Sequence, residues 1–93
     1  MKLKGMSRNV SDEEVIACLH SGGLHPSDYF LLTSSAGEEI CYLSESNVVM
    51  SPIIEDDDVA KACAHYMRVH GFPLFTNEAE AVSAMLLKRR TIS

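Results

Sequence analysis

Tryptophan is absent from this 93-residue chain, and Tyr and Phe supply three residues each. So few rings leave little from which to build a base-stacking platform or an aromatic cage. Cysteine is sparse and odd in number. Cys18, Cys41 and Cys63 lack the density and spacing of a disulfide scaffold, and their apolar neighbours suit reduced, half-buried thiols. No apolar run approaches the roughly 18 residues that span a bilayer. The stretch Met1 to Met6 carries positive charge but no apolar segment follows it, so it does not read as a secretory signal. Cations are outnumbered, 8 Lys and Arg against 13 Asp and Glu, for a formal net charge of −5. A chain of that balance repels polyanions on average, which disfavours nucleic acid as a partner. Together these absences predict a cytoplasmic protein that is not embedded in a membrane.

What remains is ordinary for a folded chain: 46% hydrophobic and 23% charged residues, enough for one thin-cored domain. Residues 1–10 read as a flexible N-terminal arm, and 11–90 as a single α+β domain. Ser11-Asp12-Glu13-Glu14 is a capping box that opens a helix, with Val15, Ile16 and Leu19 as its apolar stripe and Gly22-Gly23 as its stop. Residues 29–33 and 38–43 read as strands around the Gly-containing loop 34–37, and 47–51 as a third strand that Pro52 terminates. Glu55 to Asp58 caps a second helix that runs to about His70, and Gly71 closes it. Phe72 to Phe75 is a possible fourth, edge strand, since Pro73 has no N–H to donate. A last helix follows Thr76 or Asn77, with Ala79, Val82, Met85 and Leu86 as its buried side. The expected architecture is a small antiparallel three-stranded meander with three helices, in the order α-β-β-β-α-(β)-α. In that arrangement the helices cover one face of the sheet and leave the other bare.

Candidate chemistry is thin. Cys18 with His20, and Cys63 with His65, lie two apart on helices and so point about 200° from each other. His65 and His70 are five apart, a poor fit to a zinc pair at i and i+4. His25, His65 and His70 would join a site only through long-range contacts. The glycines at 22 and 23 follow a helix rather than precede one, so they suit a C-cap better than a phosphate loop. The acids at 55–58 lack the alternation of a calcium loop and suit a helix start. Lys88, Arg89 and Arg90 are the one basic cluster; they suit the negative end of a helix dipole more than a nucleic-acid contact. Gly71 to Phe75 and the Ala- and Glu-rich helix after it are similar to the last strand and helix of Rossmann-like ligand domains, over roughly 20 residues. The meander upstream argues against a parallel sheet, and no function follows from that likeness.

No metal site, cofactor or catalytic set emerges. The reading is therefore a small non-enzymatic protein-interaction module, pairing with itself or with a larger partner. Tyr29, Tyr42, Phe72 and Phe75 are its expected aromatic anchors on the bare sheet face or the 72–75 edge. The alternative is a small-molecule-binding regulatory domain with a cleft between sheet and helices.

Overall fold

Two runs of consecutive apolar residues, Tyr29 to Leu32 and Ile40 to Leu43, decide the layering of this fold. A strand points successive side chains to opposite faces. Such runs therefore make both faces apolar, and both need cover. The computed structural model describes residues 2–92. Strands β1 (Tyr29–Ser34), β2 (Gly37–Leu43), β3 (Val49–Met50) and β4 (Leu74–Phe75) form one sheet in the order β3-β2-β1-β4. Helices α1 (Asp12–Leu19) and α2 (Asp57–Val69) lie over the first face, where Val15, Leu19, Ala62, Cys63 and Met67 bury Tyr29, Leu31 and Ile40. Helix α3 (Glu78–Ile92) lies over the second, where Ala81 and Met85 bury Phe30, Cys41 and Leu43. The bare face expected from the sequence does not exist. An amphipathic stripe tells which side of a helix is buried, but not which side of the sheet receives it. The α3 stripe also shifts: Ala81 is fully buried and Ala79 is exposed.

The α+β class and the three-stranded meander stand. β1 and β2 are antiparallel from Tyr29↔Tyr42 to Ser34↔Gly37, around the two-residue loop Ser35-Ala36. Ser34 Oγ accepts from the Ala36 N–H, and Gly37 sits at φ 117°, which favours glycine. β3 pairs with β2 through Tyr42↔Met50 and Leu43↔Val49. It is shorter than expected, for a reason visible in the register. The Ser44 N–H donates to Val48 O at 2.9 Å, so hydrogen-bonded pairs recur at Tyr42/Met50 and then at Ile40/Pro52. Pro52 meets β2 where an N–H is needed, and the ladder ends.

The edge strand suspected at 72–75 forms at Leu74–Phe75, but it runs parallel to β1, with Leu31↔Leu74 and Leu32↔Phe75. The Leu31 N–H donates to Pro73 O at 2.8 Å. The sheet is therefore mixed rather than wholly antiparallel. α2 carries the chain back across the first face after β3, so β4 arrives in the direction of β1.

Residues 5–10 are packed onto the domain rather than free. Met6 and Val10 are buried in the first-face cluster. Ser7 donates its N–H and its hydroxyl to the Asp58 carboxylate, the hydroxyl at 2.6 Å, and Lys61 Nζ donates to Gly5 O at 3.0 Å. Arg8 bridges Glu14 at 3.1 Å and Asp56 at 2.8 Å. The acids that open α1 and α2 thus gather the lead-in onto both helix starts.

Candidate functional site

An open edge of the sheet lies at β3. β3 is the last strand of the sheet, so one side of its backbone has no neighbouring strand among the described residues. Val48 and Met50 direct their backbone groups to β2, which turns the N–H and C=O of Val49 and Ser51 outward. Val48, Met50 and Ile53 are exposed beside this edge, Ile53 at 92%. An exposed Ile next to an unpaired strand edge is costly in water unless something covers it.

The edge continues into a cleft of about 600 Å³ on the first face. Tyr42 and Met50 line it from the sheet, Leu24 from the chain that follows α1, and Pro52 and Ile53 from the far side, with Asp28, Glu45 and Arg89 around it. Gly22 shapes one wall by taking φ 70°, a left-handed turn that other residues adopt at a cost. The Tyr42 ring meets the Tyr29 ring edge-on, with centroids 6.0 Å apart. Burial, first, and the neighbouring Cys18 push the Tyr29 phenol up to about 12. Tyr29 is therefore a core group of ordinary protonation at neutral pH.

Arg89 closes the end of the sheet. Its guanidinium donates to Leu43 O at 2.6 Å, Ser44 O at 3.2 Å and Asn47 Oδ1 at 3.0 Å. Asn47 holds φ 62° in that turn, where Asn is tolerated. Lys88 donates to Ser27 O at 2.8 Å. Two of the three cations in the basic cluster thus bind backbone carbonyls of this chain. Arg90, the third, is also engaged within the chain.

The four expected aromatic anchors do not share a surface. Tyr29 is fully buried, because it starts β1 under α1 and α2. Tyr42 lines the cleft, half-buried. Phe72 packs against Tyr66 of α2 on the first face, at 6.2 Å between rings. Phe75 packs against Phe30 on the second, at 5.6 Å. Tyr29 and Tyr42 both line the cleft, but of the two only Tyr42 is partly exposed there. Val48, Met50 and Ile53 were missed at the β3 edge. The available signal was Pro52, whose place in the register strips a partner strand from the segment around it.

Among the described residues, the one histidine–hydroxyl pair, His25 with Ser27, belongs to a capped turn. His25 caps the turn before β1, its Nδ1 2.8 Å from Ser27 Oγ and its backbone N–H donating to Asp28 Oδ2. Its ring meets that of His20 at 5.4 Å. His70 stacks on Tyr66 at 4.0 Å. His65 is half-buried on α2. Among the described residues no group of three His, Cys, Asp or Glu is placed to hold a metal ion, and no helix is long and apolar enough to cross a membrane. What this surface can do chemically is pair backbone to backbone and cover apolar side chains. No protein-family model, curated protein or solved structure matches the chain.

Proposed function

We propose that this chain is a non-enzymatic interaction module, and that its site is the outer edge of β3. The occupant is an extended segment of a partner protein that adds a strand beside Val49 and Ser51. The observation that carries this reading is the unpaired edge flanked by exposed Val48, Met50 and Ile53. Strand addition draws affinity from main-chain bonds and specificity from alternate side chains. The partner segment has apolar residues in alternation and Lys or Arg near them, for a charge reason. Arg8, Lys61, Arg68, Lys88 and Arg89 are bonded within the chain, while the surface keeps an excess of carboxylates, Glu45 and Glu55 near the edge among them. A cytoplasmic setting belongs to this reading, since three unlinked thiols suit a reducing compartment.

A peptide panel tests it. Extended peptides with alternating apolar residues and flanking Lys are titrated into labelled protein. Backbone amide shifts should concentrate at residues 48–53, and the Val49 amide should exchange more slowly when bound. Ile53→Asp should weaken binding at least tenfold with an unchanged circular dichroism spectrum, because Ile53 supports no internal packing. Binding unaffected by Ile53→Asp, or shifts centred on β4, would sink the proposal.

The cleft favours a second reading, a small-molecule site. Its volume lies in the usual range for ligand pockets, and its lining combines apolar side chains with a few polar ones. A ligand there would raise the melting temperature with concentration and shift Leu24 and Tyr42 rather than the Val49 amide.

A further inference from the structure

We infer that Cys18 and Cys63 form a redox-sensitive pair, which a peroxide converts to a disulfide joining α1 to α2. The two helices pack side by side over the first face. Cys63 is fully buried in the cluster there, and Cys18 lies half-buried against the same cluster. The two thiols thus face one cluster between neighbouring helices, and burial, first, and then Cys18 push the Cys63 thiol up to about 12. Tyr29 belongs to the same first-face cluster as Cys63, and Cys18 packs against that cluster. Cys41 belongs to the opposite face, under α3. The fold therefore offers one pairing out of the three that the cysteines allow.

Burial assigns the roles. Solvent reaches Cys18, so Cys18 is oxidised first. Its thiolate attacks a peroxide oxygen, the O–O bond breaks, and Cys18 becomes a sulfenic acid with release of hydroxide or alkoxide. The Cys63 sulfur then attacks the Cys18 sulfur. The S–O bond breaks, the Cys63 proton leaves with the departing hydroxide, and water is released. With hydrogen peroxide the sum is two thiols and one peroxide giving one disulfide and two waters. Cys63 is fully buried, which disfavours its thiolate and slows the second step. The bond closes a long stretch of chain and restricts the unfolded state, so the oxidised protein melts higher.

The experiment is peptide mapping of the folded protein after mild hydrogen peroxide, with free thiols alkylated on unfolding. The expected product is a Cys18–Cys63 cross-linked peptide, with Cys41 still alkylated and the melting temperature raised. Cys41→Ser should leave the link unchanged. Cys63→Ala should accumulate sulfenic acid at Cys18, trapped by dimedone. Cys18→Ser keeps the core cysteine and should leave Cys63 inert to peroxide, which holds the test even if Cys63→Ala folds poorly. Cys18 driven to sulfinic acid while Cys63 stays alkylatable would overturn the inference, as would a Cys18–Cys18 link between chains or oxidation of Cys63 in Cys18→Ser.

Discussion

At the residue scale, the informative side chains are those whose partners lie far along the chain. Arg89 is the clearest. A cationic helix end is expected from the dipole alone, yet its guanidinium reaches three acceptors in the β2–β3 turn, more than 40 positions back. Arg89→Ala should lower stability by about 1 kcal/mol, read from urea unfolding, since bonds from a charged donor are worth more than neutral ones but these are partly exposed. The turn at 44–48 should also broaden in NMR spectra. Unchanged stability together with an unchanged turn would mean the clamp is ornamental. Ile40 stands on the same face as Tyr42 and joins the first-face cluster. Ile40→Ala should cost about 2–4 kcal/mol. An aromatic residue in a strand looks the same in sequence whether its ring meets solvent or a helix. Tyr29 and Phe75 show the difference only through α1, α2 and Phe30, contacts that local pattern does not encode.

At the scale of elements, helix starts were the most legible feature, because caps are local chemistry. The Ser11 box forms as spelled, with Ser11 Oγ accepting from the Glu14 N–H and Glu14 reaching back to the Ser11 N–H. Asp56 caps α2 through the Asp58 and Val59 amides, and Asn77 Oδ1 accepts from the Glu80 N–H. Ser11→Ala should cost about 1 kcal/mol in a denaturant titration. What capping rules do not reveal is that Arg8 ties the starts of α1 and α2 together. The Arg8 hydrogen bond, first, holds the Glu14 and Asp56 carboxyls below their ordinary values, and Ser7 does the same for Asp58. Carboxyls lowered in the fold contribute stability that is present above their unfolded pKa, near 4, and is lost as pH falls through the folded values. The urea midpoint should therefore hold from pH 7 to about 5 and drop below about 4. Arg8→Ala should flatten part of that drop. The same acid sensitivity in Arg8→Ala would show that Arg8 is not its source.

At the scale of the whole molecule, function was least legible, because it depends on which surfaces remain after three layers close. The helices and the meander follow from periodicity. The assignment of α3 to the second face, and hence the loss of a bare sheet, comes from contacts between residues about 50 positions apart, such as Phe30 with the α3 cluster. Roofing both sides also makes the two clusters share one sheet, with Ile40 and Leu43 on the same strand serving opposite faces. If the layers are one cooperative unit, damage to either face lowers a single transition. Ile40→Ala and Leu43→Ala should each shift the urea midpoint by an amount equivalent to about 2–4 kcal/mol. Far-UV circular dichroism and the NMR methyl signals of both clusters should still move together. A variant in which the α3 face melts while the α1–α2 face persists would separate the layers. The sheet would then not transmit order from one roof to the other. A partner strand added at β3 would in turn stabilise only the layer it touches. A single shared transition instead means that covering the β3 edge tightens both cores, so a bound segment should slow amide exchange in β1, two strands away, as well as in β3.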